Sequence, residues 1–175
     1  MKTYKVEVDS HGDMRWYNEA GELHREDGPA IEYADGLKYW YINDERHRED
    51  GPACEYVDGT KAWYKNGELH REDGPAIEYA GGLKEWFKNG KLHREDGPAC
   101  EYADGSKEWF KNGERHREDG PACEYVDGTK EWFINGERLT ETDFNARNQA
   151  VEATVEVTVA QIEKILGHKV KIVKG

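Results

Sequence analysis

His-Arg-Glu-Asp-Gly-Pro-Ala, residues 116–122, is one copy of a string that also begins at His24, His47, His70 and His93, always 23 residues apart. A Trp keeps the same beat at Trp40, Trp63, Trp86, Trp109 and Trp132. Self-similarity at a fixed period of this length marks a stacked array, in which neighbouring units share one core. It also bears on function. A catalytic site is usually a single asymmetric constellation, whereas near-identical units offer one surface several times over. The repeat therefore points to a binding or scaffolding protein rather than an enzyme.

Within one copy, Ala99-Cys100-Glu101-Tyr102-Ala103 alternates, Asp104-Gly105 turns the chain, and Lys107-Glu108-Trp109-Phe110-Lys111 alternates again. Asn112-Gly113 makes a second turn before Glu114-Arg115-His116-Arg117. Asp-Gly and Asn-Gly between alternating segments are strong hairpin signals, since type I′ turns need positive φ at both central residues. Parity argues against a third reversal at Glu118-Asp119-Gly120-Pro121. Three reversals would run successive copies in opposite directions, so this segment reads as a kink or bulge, where Pro121 lacks the amide a ladder needs.

Two-residue turns at both places put Trp109 opposite Cys100 and Glu108 opposite Glu101. Across the second turn they put Trp109 opposite His116 and Glu108 opposite Arg117. One face then collects Trp, Cys or Ile, Tyr102 and His. The other collects Glu, Arg, Phe110 and Ala. The expected fold is mainly β: an elongated antiparallel β-hairpin repeat array over residues 1–139, six hairpins with an atypical first one, and a small C-terminal α/β tail over 140–175.

At Trp-Phe-Lys-Asn-Gly-Glu-Arg-His, residues 109–116, the chain resembles the MORN repeat family. The shared features are the 23-residue period, a Trp before Asn-Gly, a His three residues after that Gly, and an Asp-Gly turn further on. The resemblance spans roughly residues 13–139 and implies a single-layer array of β-hairpins serving as a scaffold or interaction module. MORN units usually continue His-Gly-x-Gly where this chain has His-Arg-Glu-Asp-Gly-Pro, which detaches it from the family's membrane association. The His-Arg-x-Asp-Gly-Pro-Ala variant is similar to repeat proteins of large bacteriophages and giant viruses.

Composition narrows the rest. Leu, Ile, Val and Phe total only 28 of 175 residues and net charge is −12, but six Trp and ten Tyr at fixed spacing supply a core that few aliphatics could. Residues 1–139 hold 32 Asp/Glu against 20 Lys/Arg, so the acid sits in the array. Such a surface repels phosphates and anionic lipid and attracts basic protein surfaces. Met1–Val8 mixes Lys, Glu and Val without a long apolar run, so no signal peptide is expected, and no apolar run is long enough to span a bilayer. Cys54, Cys100 and Cys123 share one repeat position with Ile31 and Ile77, which reads as a small buried apolar site. Copies two strands apart, about 9–10 Å, are too distant for a disulfide. A cytoplasmic protein is expected, in the host cytoplasm if phage-encoded.

The ends depart from the pattern. Tyr4–Val8 and Met14–Tyr17 flank a turn through Ser10-His11-Gly12, and the turn after Trp16 gains a residue. After Asn135-Gly136 the His-Arg-Glu-Asp string is replaced by Leu139-Thr140-Glu141-Thr142-Asp143, so the array stops. Residues 142–150 read as a short helix, Val151–Val157 as a strand, Val159–Leu166 as a helix capped by Thr158 and Gln161, and His168–Val173 as a strand. This tail is expected to cap the array or to dimerise.

Two sets of residues are candidates for chemistry. His24, His47, His70, His93 and His116, with Trp40, Trp63, Trp86, Trp109 and Trp132, are expected to form a structural ladder rather than a metal site. Repeats spread the His residues, and a metal needs converging ligands. The Glu pairs 78/85, 101/108 and 124/131 would oppose like charges across strands, offset by Arg94 and Arg117. With Phe87, Phe110 and Phe133 they form the expected partner-binding surface: Glu78, Glu85, Phe87, Glu101, Glu108, Phe110, Glu124, Glu131 and Phe133. No cofactor and no catalytic residue is expected. The function read from these features is a non-catalytic module that binds a protein through the partner's basic surface, and the resemblance implies that it is phage-encoded and inhibits a host protein. It touches neither nucleic acid nor membrane, and its tail offers a route to homo-oligomers. The rivals are an acidic mimic of nucleic acid and a small-ligand sponge using the aromatic face.

Overall fold

A computed structural model describes residues 3–167. The first hairpin pairs β1 (Lys5–Val8) with β2 (Met14–Tyr17). The next copy gives β3 (Ile31–Glu32), β4 (Lys38–Tyr39), β5 (Tyr41–Ile42) and β6 (Glu45–Arg46). The same four short strands follow as β7 (Cys54–Glu55), β8 (Lys61–Ala62), β9 (Tyr64–Lys65) and β10 (Glu68–Leu69). The third set is β11 (Ile77–Glu78), β12 (Lys84–Glu85), β13 (Phe87–Lys88) and β14 (Lys91–Leu92). The fourth is β15 (Cys100–Glu101), β16 (Lys107–Glu108), β17 (Phe110–Lys111) and β18 (Glu114–Arg115). The array closes with β19 (Cys123–Glu124), β20 (Lys130–Ile134) and β21 (Glu137–Leu139), followed by α1 (Glu141–Leu166).

Among the described residues, thirteen strands form one antiparallel sheet in the order β1-β2-β3-β4-β7-β8-β11-β12-β15-β16-β19-β20-β21. The expected elongated array of β-hairpins at a 23-residue spacing is what the chain builds, with every copy running the same way. The remaining strands pair two by two into a second row: β5 with β6, β9 with β10, β13 with β14, and β17 with β18. Trp is the corner between the rows. Trp109 N–H donates across the main sheet to Ala122 (2.8 Å), while its carbonyl accepts from His116 N–H in the small hairpin (3.0 Å). Where the His-Arg-Glu-Asp string is missing, the corner is missing too. β20 runs unbroken through Trp132.

The two turns differ in kind, and that difference resets the sheet. Asn112 (φ 54°) and Gly113 (φ 89°) are both left-handed, as a two-residue type I′ turn requires. Phe110 accordingly pairs with Arg115, in the register expected. At Asp104-Gly105 only Gly105 is left-handed (φ 93°), and the loop has three residues. Asp104 Oδ1 accepts from Ser106 N–H (2.8 Å), which holds the Asp in an ordinary turn conformation. Cys100 therefore faces Glu108, and Glu101 faces Lys107. The opposition of Trp109 to Cys100 and of Glu101 to Glu108 is overturned, because a one-residue slip exchanges the two faces.

The tail is corrected as well. One helix, α1, replaces the expected helix, strand and second helix over 142–166. Val151, Val155, Val159, Ile162 and Leu166 fit a helical spacing as well as an alternating one, and no Gly or Pro interrupts residues 137–166. Thr140 caps the start, its side chain accepting from Asp143 N–H (3.1 Å). Gly167 (φ 66°) ends the helix as the sequence suggests. α1 packs on β20 and β21 with Phe144 buried, and Asn148 Nδ2 donates to the Glu118 carbonyl (3.0 Å). The expected strand at His168–Val173 lies outside the described residues.

The core is thin and runs the length of the array. Its fully buried members are Ala30, Ala53, Ala76, Ala99 and Ala122, with Cys54, Cys100 and Cys123 beside them.

Candidate functional site

The corrected register sorts the charged residues into two different rows. On one face, facing positions run Glu55, Lys61, Glu78, Lys84, Glu101, Lys107, Glu124, Lys130, so every carboxylate has an ammonium-bearing neighbour. Opposite charges across strands stabilise the pairing. The other face carries Ile31, Tyr39, Cys54, Ala62, Ile77, Glu85, Cys100, Glu108, Cys123 and Glu131 in turn. The nine residues expected to form one binding surface are thus divided. Glu78, Glu101 and Glu124 lie on the Glu/Lys face, while Glu85, Glu108 and Glu131 lie on the Cys face.

Each Arg of the repeated string completes the Glu/Lys face. Arg94 donates through Nε to Asp96 (2.9 Å) and through Nη1 to the Pro98 carbonyl (3.2 Å) and Glu101 (2.9 Å). Its guanidinium carbon sits 4.1 Å from the centroid of the Trp86 ring. Arg48, Arg71 and Arg117 repeat this set on Trp40, Trp63 and Trp109 at 3.9–4.0 Å. Arg94 and Arg117 thus serve Glu101 and Glu124, not Glu85 and Glu108. The Gly of the string follows from the same cluster. A Cβ on Gly97 would stand 3.0 Å from Arg94 Cζ, although its backbone is not left-handed. The Arg contacts also hold the Asp50, Asp73, Asp96 and Asp119 carboxyls below their ordinary pKa, the Arg hydrogen bond being the largest cause.

The His residues link one copy to the next. His93 Nδ1 accepts from Asn112 N–H (3.1 Å) in the following copy, and its side-chain amide lies 3.0 Å away. The atom of that amide nearest Nδ1 is Asn112 Oδ1, so whether the ring donates across this contact is set by its tautomer. Nε2 faces Glu95 at 3.5 Å, and the equivalent His116 faces Glu118 at 3.3 Å. Among the described residues, no group of three or more His, Cys, Asp or Glu is arranged to hold a metal ion.

On the Cys face, sequence reasoning missed the role of Arg115. It grips Glu108 through Nε and Nη2 (3.2–3.4 Å) and lies 5.8 Å from the Phe110 ring and 5.5 Å from that of Phe133. Glu108 is buried beneath it, 6 % exposed. Arg138 holds Glu131 (2.6 Å), and Tyr79 donates its hydroxyl to Glu85 (3.1 Å). Phe87, Phe110 and Phe133 are half-buried here, whereas Tyr56, Tyr79 and Tyr102 are 37–38 % exposed. Burial pushes the Cys54 thiol up to about 11 and that of Cys100 to about 12, so neither is a nucleophile near neutral pH. Among the described residues, no helix is long and apolar enough to cross a membrane. No family model and no curated protein matches the chain.

Proposed function

We propose that the chain is a non-catalytic protein-binding array of the MORN-like type, and that it meets its partner with the Cys face. The observation carrying this reading is the recurrence of Tyr56, Tyr79 and Tyr102, partly exposed, at 23-residue steps on that face. Phe87, Phe110 and Phe133 extend it. Rings presented on a rigid sheet supply binding energy at little entropic cost, since they anchor an interface through few rotatable bonds.

The partner is a basic, partly apolar protein surface, drawn in by the net charge of −12. Glu85 and Glu131 are the carboxylates of this face that meet it, Glu108 being held beneath Arg115. The finer reading is a bacteriophage-encoded inhibitor of a host defence protein, acting in the host cytoplasm. It rests on the resemblance of the His-Arg-Glu-Asp-Gly-Pro-Ala string. A nucleic-acid mimic is disfavoured, because the Glu row of the opposite face is interleaved one for one with Lys. The tail is assigned to capping the last strands, with exposed Val151, Ile162 and Leu166 as the place where a second copy would meet it.

Affinity capture from bacterial lysate, followed by cross-link mapping, tests the reading. A specific protein cross-linked near Tyr102 and lost on Tyr102→Ala supports it. A partner mapped to the Glu/Lys face, or to α1 alone, overturns it.

A further inference from the structure

One edge of the main sheet is left open. Among the described residues, β1 pairs with β2 and with no other strand. Trp16 N–H donates to the Ala30 carbonyl on the side of β2 away from β1 (2.9 Å), and the Trp16 carbonyl accepts from His24 N–H on that side too (3.0 Å). Its partner Val6 therefore stands in a non-hydrogen-bonded pair, and turns its own N–H and C=O outward. The hairpin end agrees, since Asp9 N–H bonds to the Asp13 carbonyl (3.1 Å) and sets the hydrogen-bonded pairs at odd numbers. Alternation gives Tyr4 and Val8 the same outward aim as Val6. Every residue of β1 is exposed, Val6 at 47 % and Val8 at 64 %. Such a row of open amides and carbonyls is a template for another strand.

The residues of β1, Lys5-Val6-Glu7-Val8, fit a second copy of themselves. Two antiparallel copies must bring outward-facing residues together, so Val6 meets Tyr4, Val6 or Val8 of the second copy. Val6 against Tyr4 sets Lys5 opposite Lys5, and Val6 against Val8 sets Glu7 opposite Glu7. Like charges directly across strands are destabilising. Val6 against Val6 instead sets Lys5 opposite Glu7 twice, at the non-hydrogen-bonded positions where side chains come closest. Within one copy these two side chains already pair, Lys5 Nζ to Glu7 at 2.7 Å, and both are exposed. The same register has the longest overlap, Tyr4 to Val8. It also lays an apolar row of Trp16, Val6, Val6 and Trp16 across the joint. Backbone, charge and apolar contacts are satisfied together in this register alone.

We infer that β1 is the docking edge for a second copy of this chain, joined antiparallel about a two-fold axis between the two Val6 residues and perpendicular to the sheet. The joint uses up the open edge of each copy, so by itself it yields a dimer and not a fibre. Residues opposite each other share a face, so the tyrosine-bearing faces of both copies lie on one side of a continuous sheet. About five residues a side bury far less than the ~1,200–2,000 Å² of a stable interface, so the association is weak and the strand is free in dilute solution. The joint needs no partner protein and is separate from the exposed apolar residues of α1.

Sedimentation equilibrium of the whole chain, from about 5 to about 500 μM, tests the joint. The unaltered chain is expected to pass from monomer to dimer over this range. Val6→Pro removes an outward N–H without cutting the ladder between β1 and β2, and is expected to leave monomer only. Leu166→Ser, on α1, is expected to leave the dimer intact. Lys5→Glu and Glu7→Lys each set like charges across the joint, and each is expected to weaken association about tenfold. Mixed together, these two variants are expected to associate at least as well as the unaltered chain, because every carboxylate then meets an ammonium. A chain that stays monomeric at the highest concentration overturns the inference. So does a dimer that survives Val6→Pro or is lost in Leu166→Ser, and so does a mixture that associates no better than either variant alone. If Val6→Pro does not fold by circular dichroism, the mixture decides.

Discussion

Arg94 sits over Trp86, its guanidinium carbon 4.1 Å from the ring centroid, while the same group grips Glu101 at 2.9 Å. One side chain thereby ties the corner of a copy to its loop and to the next strand of the sheet. Replacing it by Ala removes a cation–π contact and hydrogen bonds to two carboxylates and a carbonyl. Arg94→Ala is expected to lower stability by about 2–3 kcal/mol, and Arg94→Lys by about half that, since an ammonium cannot stack and fork at once. Urea unfolding followed by Trp fluorescence measures both.

Gly97 owes its identity to that Arg rather than to its backbone. Gly97→Ala should cost about 1–2 kcal/mol in the native chain, because the new methyl meets the guanidinium. In an Arg94→Ala background the same change should cost close to nothing. A double-mutant cycle reads the difference directly, and additive effects would show that the glycine serves something else.

His70→Ala is expected to lower stability by about 1–3 kcal/mol, because Asn89 N–H loses its acceptor at the junction between copies. A thermal melt unchanged by the substitution would remove the His residues from the set that holds the array together.

Acid should weaken the array in a defined window. The Arg-bonded Asp50, Asp73, Asp96 and Asp119 have folded pKa values below their ordinary ones. Their contribution is complete above the unfolded value of about 3.9 and fades as pH falls through the lower folded values. Melting temperatures should therefore hold from pH 7 to about pH 5 and decline modestly below about pH 4, since each of these carboxylates is exposed and its ion pair is screened by solvent. Asp→Asn changes at these four positions should flatten that dependence.

Much of this fold was legible in its period. The two-residue turn at Asn112-Gly113, the kink at Glu118-Asp119-Gly120-Pro121 and the uniform direction of the copies all follow from residue chemistry and parity. The faces were not legible. Asp-Gly and Asn-Gly read alike as turn dipeptides, but Asp104 uses its carboxylate on Ser106 N–H and leaves only Gly105 left-handed. That single added loop residue separated Glu101 from Glu108. The signal available was Lys at 61, 84, 107 and 130, which makes an ion-pair ladder only in the longer-loop register. The tail failed for a different reason. Val151–Val157 satisfies two periodicities, and the uninterrupted run from Thr140 to Gly167 favours the longer one.

The buried thiols give a simple check on the core. Cys54, Cys100 and Cys123 are at most 2 % exposed, and burial raises the pKa of each. A disulfide reagent at pH 8 should find no rapidly reacting thiol in the folded chain and three after denaturation. Fast labelling without denaturant would mean that the sheet opens more readily than its packing implies.

The two ends of the main sheet are finished differently, and this gives unfolding a direction. β1 ends the sheet as an exposed strand, whereas β20 and β21 lie under α1, with Phe144 buried among them. Each copy is held only by its neighbours, so the array behaves as a zipper whose teeth open from the less protected side. Amide exchange should then form a gradient, fastest at Lys5–Val8 and slowest toward the strands beneath the helix. Shortening the chain by whole copies from the amino-terminal side would move that fraying boundary without touching the sealed end.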